Sequence, residues 1–243
     1  MEELKITGVV ITSIDYKEND KILTIFSLEL GVVKAQIKGV KQAKSKLKYA
    51  CQPFFVGEFF LIKKNGYYLI TTVNTIENFY DLTSNYDRYL VGTIILETIK
   101  LTFKDGMINE ALFLELLKIL ETLCYETTNE YMILIKYMLN FFKLSGYGLN
   151  FDKCAVCGIK LNGITYLSLG AGGLVCEVCK DEYDIKLEKN VFSSLKIIDN
   201  VDLNKLSTVK LNNNVLIKCL MLLKLNFNSI FKVKLNSINN ILI

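Results

Sequence analysis

The sequence predicts an α+β protein: an N-terminal five-stranded OB-fold barrel followed by a helical domain that carries a four-cysteine zinc finger. Three observations predict it. Five short strand-like segments fall within about the first 75 residues, marked by β-branched and aromatic residues, by alternation in two of them and by an Asn-Gly turn. From about residue 84 the apolar period lengthens to three or four. The pairs Cys154-x-x-Cys157 and Cys176-x-x-Cys179 stand eighteen residues apart in a chain of 243 residues that contains no histidine.

The strands follow from local pattern. Ile6 to Ile14 is rich in β-branched residues, Lys21 to Leu28 alternates through Ile22, Thr24 and Phe26, and Val32 to Ile37 resumes the alternation after a turn at Gly31. Glu58 to Lys63 and Tyr67 to Val73 flank Asn65-Gly66, a dipeptide suited to the two positive φ angles of a tight hairpin. Five strands of this length suit a small closed barrel, of which the OB-fold is the commonest five-stranded form. With a single proline, Pro53, and no Ser- or Gly-rich tract, the boundary has to be read from the change of period. It places an OB-fold domain at 1–80 and a helical domain at 81–243, with the cysteine module at about 150–183.

The helices are expected at Tyr86 to Phe103, Asn109 to Leu123, Thr128 to Leu144, Val191 to Ile198 and Val215 to Phe227. Thr127-x-x-Glu130 has the form of a capping box for the third of these. The stripe Leu112, Leu116, Ile119, Leu120 and Leu123 is core packing. Uninterrupted apolar runs such as Cys219 to Leu223 fall far short of the roughly 18 residues that span a bilayer, and Lys218 and Lys224 flank that run, so no membrane segment is expected.

Tetrahedral Zn²⁺ takes four soft ligands, and each C-x-x-C supplies two thiolates from one turn while the intervening chain folds back as a hairpin. Cys154, Cys157, Cys176 and Cys179 are therefore expected to hold one structural zinc ion. Gly158 suits a positive φ in the first knuckle, and Gly170, Gly172 and Gly173 allow the return strand Leu174-Val175 to approach closely. Four thiolates leave no position for an activated water, which argues against a catalytic metal. Two disulfides or a redox C-x-x-C are the competing readings. The opening Met1-Glu2-Glu3 carries no leader pattern, and Cys51, Cys124 and Cys219 lie in apolar surroundings as small hydrophobes, so a reducing compartment, the cytoplasm, is expected.

The net charge of +4 is unevenly spread. Residues 1–80 carry eleven lysines against eight acids, residues 81–188 ten basic residues against fifteen acids, and residues 189–243 eight lysines against two acids. No acid lies between Glu29 and Glu58, where Lys34, Lys38, Lys41, Lys44, Lys46 and Lys48 fall. Such a stretch can track a phosphate backbone; a solvated lysine face is the alternative. Tyr49, Phe54, Phe55, Phe59, Phe60, Tyr67 and Tyr68 follow or flank it, most as core and one or two as platforms for unpaired bases. With one arginine, Arg88, base-specific reading is not expected.

Catalysis finds little support. Lys63-Lys64-Asn65-Gly66 approaches the K-x-D-G of nucleotidyl-transferring ligases, but asparagine replaces the acid and the residues sit in an expected hairpin turn. No Gly-rich phosphate loop and no histidine-dependent nucleophile can be assembled. The residues read as a binding protein.

Several segments, taken in order, resemble one family. Gly8-Val-Val, Asp15-Tyr-Lys-Glu-Asn-Asp20, Ile25-Phe26, Gly31, Lys38-Gly-Val-Lys-Gln-Ala-Lys-Ser-Lys46 and Gln52-Pro-Phe54 with Gly57-Glu-Phe59 are similar to the N-terminal signature of the bacterial RecO recombination mediators. Gly146-Tyr147, Cys154-x-x-Cys157-Gly158 and Ala171-Gly-Gly-Leu-Val-Cys-Glu-Val-Cys179 resemble that family's zinc region. The resemblance implies a non-enzymatic DNA repair and recombination protein. Such a protein binds single- and double-stranded DNA, anneals strands, and works with the partner RecR and the single-strand-binding protein to load recombinase. It places the DNA contacts at Lys38, Lys41, Lys44 and Lys46, with Lys34 and Lys48 as neighbours. Lysine stands at positions 41 and 46, where the family often shows arginine; phosphate contact survives that exchange and bidentate contact does not. An adaptor with a structural zinc and no direct DNA contact is the alternative.

Overall fold

In the computed structural model, which describes residues 3–242, the N-terminal strands close into a barrel. The strands are β1 (Glu3–Tyr16), β2 (Asp20–Ser27), β3 (Gly31–Ile37), β4 (Phe55–Lys64) and β5 (Tyr67–Asn78), in the order β1-β2-β3-β5-β4. β1 runs antiparallel to both β2 and β4, its register with β2 shifting between Val10 and Thr12, an irregularity that helps a long strand bend around a small barrel. Closure is made by a short parallel pairing of Ala35, Gln36 and Ile37 with Tyr68, Leu69 and Ile70. Alternate residues of each strand fill the interior: Ile6, Val10, Leu23, Ile25, Val33, Ala35, Ile37, Phe59, Leu61 and Val73 are all buried in one core. The β4–β5 turn has positive φ at Asn65 and at Gly66 (50° and 85°), as the dipeptide predicts.

Two helices belong to the same compact unit, which runs to Cys124: α1 (Tyr86–Thr102) and α2, assigned to Glu110–Tyr125. Phe26 leaves the barrel interior and packs on Phe103 and Phe113, with ring centroids 5.5 and 5.9 Å away. The Asn85 side chain accepts from the Arg88 amide at 3.1 Å and starts α1. The guanidinium of Arg88, the chain's sole arginine, donates to the carbonyls of Leu123 and Cys124 at 3.1 Å each, at the C-terminal end of α2. That arginine therefore has a structural task.

The second compact unit starts at Tyr125. It contains α3 (Glu130–Leu144), a three-stranded sheet of β6 (Thr165–Ser168), β7 (Gly173–Cys176) and β8 (Ile185–Lys186) in the order β7-β6-β8, and helices α4 (Lys189–Asn200) and α5 (Asn213–Phe231). The expected capping box at Thr127 is not used. Asn129 caps α3 instead, accepting from the amides of Tyr131 and Met132 at 3.0 and 3.2 Å, because its side chain reaches both without a partner at the third helical position. The buried ammonium of Lys136 on α3 donates to the carbonyls of Ile198 and Asp199 (3.2 and 2.9 Å) in the last turn of α4, and Lys143 pairs with the Asp199 carboxylate at 2.5 Å. α5 packs Leu216, Cys219, Leu220, Leu223 and Phe227 inward, and its Phe227 and Phe231 rings lie 5.9 and 5.6 Å from Phe141.

By length and composition α5, with mean hydropathy 1.3, is apolar enough to cross a membrane, which the sequence expectation denied. Counting uninterrupted runs stops at Lys218 and Lys224, whereas an average over 18 residues passes over them. Its apolar side chains are divided between a buried face and exposed positions such as Met221 and Leu225. That division suits a core helix.

Gly31 marks the turn into β3 with φ 67°, and a Cβ there would lie 2.0 Å from the Met107 carbonyl oxygen. Gly31→Ala should cost roughly 2 kcal/mol or more in a urea titration, by combining left-handed strain with a backbone clash. Gly66→Ala, with nothing within 4 Å of its Cβ, should cost about 1 kcal/mol through strain alone.

Candidate metal centre and nucleic-acid interface

The first cysteine knuckle is a tight ribbon. Lys153 and Lys160 bridge its ends, the Cys154 amide donates to the Ile159 carbonyl at 2.8 Å, and the Gly158 amide donates to the Cys154 carbonyl at 3.0 Å. Gly158 takes φ 72°, as its position after Cys157 predicts. The second knuckle ends β7, and the Cys179 amide donates to the Cys176 carbonyl at 3.1 Å. The Ala155 amide bonds the Leu174 carbonyl (2.8 Å), joining the two knuckles. Gly173 makes that approach possible, since a Cβ there would stand 2.9 Å from the Ala155 Cβ, whereas Gly170 faces open space and contributes no close approach.

These constraints bring the four sulfurs within 4.8 Å of one another. A tetrahedral ion with metal–sulfur bonds of about 2.3 Å requires sulfur–sulfur edges of about 3.8 Å. The Cys157 and Cys176 Sγ atoms stand 3.8 Å apart, and all four thiols are free rather than joined in disulfides. The donor set fits a closed all-sulfur metal site. Its electrostatics point the same way. Burial pushes the Cys154 thiol up, but the amides of Cys157, Cys176 and Val156 outweigh it and hold the thiol at about 6. The Cys179 thiol is pushed up to about 12, first by its hydrogen bond to Cys157 and then by burial. Four thiolates cannot coexist at this spacing without a cation.

The lysine segment lies on and beyond β3. Lys34 is exposed at mid-strand, between the inward Val33 and Ala35. Lys38 starts the connection that carries the chain from β3 to β4, and Lys41, Lys44, Lys46 and Lys48 lie along it, all exposed. Asp20 accepts from the Gly39 amide at 2.8 Å and from Gln36 at 2.6 Å, and the Lys41 amide bonds the Asn19 carbonyl at 3.0 Å. Val40, Ala50 and Cys51 then plug into the barrel core. Lys41 differs from its neighbours: its ammonium sits 2.7 Å from Asp15, which Lys21 also reaches at 3.3 Å. Those two lysines hold the Asp15 carboxyl below its usual range, and the Gly39 amide does the same for Asp20. Among the described residues none of Lys34, Lys38, Lys44, Lys46 and Lys48 is ion-paired. The roles of Asp15 and Asp20 escaped the sequence reading except as ends of a matched motif.

Of the aromatic residues, Phe54, Phe55 and Phe59 are buried, and Phe60 and Tyr68 are half-buried. Tyr49 and Tyr67 are exposed at 41 % and 44 %. Phe54 and Phe55 do not alternate in and out. Phe54 has φ 70° just before β4, which turns its ring onto Tyr89 of α1 (5.8 Å), while Phe55 enters the barrel. Lys63, the ligase-like lysine, is exposed at the end of β4, its Nζ 5.9 Å from the Tyr68 ring, beside the Asn65-Gly66 turn. In the C-terminal part Lys196 pairs with Asp152 and Lys218 with Glu188, while Lys210, Lys232 and Lys234 are exposed.

The family model described as Recombination protein O N terminal matches residues 1–79, and the model described as Recombination protein O C terminal matches residues 83–227. A protein named DNA repair protein RecO from Clostridium perfringens (strain 13 / Type A) is 31 % identical over 199 residues, covering 82 % of this chain and 81 % of that protein. Proteins of the same name from Clostridium novyi (strain NT) and Caldanaerobacter subterraneus subsp. tengcongensis are 30 % and 32 % identical, covering 80 % and 74 % of this chain and 76 % and 74 % of their own lengths.

Metal analysis of the protein should give one divalent ion per chain. Cys154→Ser and Cys176→Ser should abolish it and lower the melting temperature sharply, because the ion's binding energy is folding energy for so small a sheet. A melting curve unchanged by a strong chelator would remove the structural role.

Proposed function

Because the chain belongs to the RecO family of DNA repair proteins, we propose that it is a DNA-binding recombination mediator. On this reading it holds single- and double-stranded DNA, anneals complementary strands, and helps load recombinase onto DNA coated with single-strand-binding protein, with RecR and that protein as partners. The lysine connection on a closed barrel carries the reading. Lys34, Lys38, Lys44, Lys46 and Lys48 offer exposed ammonium groups free of ion pairs, and Lys41 joins them once phosphate competes with Asp15. Lysines act as point charges without the planar fork of arginine, so the contact is to phosphate rather than to base edges. The barrel at 1–80 is then the DNA-holding part, and in the helical part that follows it the second compact unit, which starts at Tyr125 and carries the module at 150–183, is braced by one Zn²⁺ on Cys154, Cys157, Cys176 and Cys179. The action is non-catalytic and cytoplasmic, and involves no membrane.

The test is a salt titration with labelled single-stranded and duplex DNA. Wild-type affinity should fall steeply with salt. Changing Lys38, Lys41, Lys44 and Lys46 together to alanine should weaken binding and flatten the single-strand slope by about 0.7 for each phosphate no longer neutralised. Equal affinity and slope in the variant would favour the adaptor reading. Asp15→Asn should strengthen binding, because it frees Lys41 and removes a carboxylate that repels the backbone. Annealing of complementary strands coated with single-strand-binding protein should fall in the lysine variant in step with its affinity.

A further inference from the structure

Parallel pairing between β3 and β5 covers only Ala35, Gln36 and Ile37 against Tyr68, Leu69 and Ile70, because β3 ends at Ile37 and β5 begins only at Tyr67. From Gly31 to Lys34, β3 has no β5 partner; Gly31 and Val32 are bridged by Asp105 instead. The gap is a cleft of about 400 Å³ lined by Val32, Lys34, Gly66, Tyr67, Tyr68 and Asp105, among others. That volume lies within the range of small-ligand pockets. Tyr67, the first residue of β5, lines the cleft and is 44 % exposed, with no aromatic partner among the described residues. Lys34 stands exposed and free of an ion pair on the same cleft, and Lys63 and Lys64 approach the β4–β5 turn from β4.

We propose that this cleft takes one unpaired nucleobase of DNA, stacked on Tyr67, with the adjoining phosphate on Lys34. The inference rests on the DNA-binding reading and sharpens it, because it assigns the capture of unpaired bases to the Tyr67 cleft, which shares Lys34 with the lysine set but lies apart from the connection that starts at Lys38. The charge pattern sets the direction of entry. Asp105 in the cleft repels phosphate, while Lys34, Lys63 and Lys64 around it attract phosphate, so a polyanion enters base first. Stacking requires an exposed base face, which a duplex keeps covered by its neighbours. Every base has such a face, so the site selects strandedness and not sequence.

The experiment uses the full chain with an oligothymidine containing one 2-aminopurine, and a duplex of matched length. Tyr67→Ala should weaken single-strand binding roughly tenfold or more and abolish the quenching of 2-aminopurine on binding. Duplex affinity and salt slope should stay at wild-type values. Tyr67→Phe should keep the quenching, since it keeps the ring, and Lys34→Ala should weaken single-strand binding while leaving the quenching at saturation. Tyr67→Ala acting equally on both substrates, or on neither, overturns the site while leaving the lysine contacts standing. A wild type that binds neither substrate overturns the DNA-binding reading and the site with it.

Discussion

Closure of the barrel is the constraint on which the N-terminal unit depends. A strand order of β1-β2-β3-β5-β4 separates β3 from β4, so the chain leaving Ile37 has to cross to the far side before β4 begins at Phe55. No two-residue turn can make that crossing. The long connection then has to be held, and it is held twice: by carboxylates of the β1–β2 hairpin at its start, and by Ala50 and Cys51 in the barrel core near its end. Between those anchors, Leu47 packs against the core while most other side chains, the lysines among them, face water. Their display is a product of topology as much as of composition, and the brevity of the β3–β5 seam leaves the cleft beside Tyr67 open.

In the second unit the sulfur cluster does comparable work for a sheet too small to sustain itself. β6, β7 and β8 are four, four and two residues long. One face is apolar, with Leu167, Leu174 and Leu187 buried close to Leu195, Leu222 and Leu223 of α4 and α5. At the other end the two knuckles share hydrogen bonds as well as the proposed ion, so loss of one cysteine removes a ligand and loosens the turn that positions its partner. The absence of histidine leaves this site with sulfur donors alone.

Features set within a few residues were legible in the sequence. Asn65-Gly66 specifies its turn by the only conformations open to those residues beside two alternating strands, and the cysteine spacing specifies two knuckles and a hairpin. Features set by distant partners were not. Nothing near Ala35 announces Tyr68 as its parallel neighbour, and Asp15 reads as an ordinary surface acid until Lys21 and Lys41 are brought to it. The left-handed backbone at Phe54, which aims its ring at Tyr89 and away from the barrel, is not signalled by its neighbours in sequence. At α3 the cap expected at Thr127 gives way to Asn129, through a hydrogen-bonding reach that spacing alone does not contain.

The anchoring of the lysine connection grades its order along its length. Gly39 and Lys41 are tied to the β1–β2 hairpin by main-chain and side-chain bonds, so the segment from Lys38 to Lys41 has already surrendered much of its conformational entropy in the free protein. Lys44, Lys46 and Lys48 keep the rotamer freedom of exposed side chains and give it up only on engagement. On the proposed DNA-binding reading, a polyanion would meet a preorganised edge at residues 38–41 and an adaptable one at residues 44–48. One short connection can thus follow the regular spacing of a helical backbone or the irregular path of a flexible one, at different entropic cost.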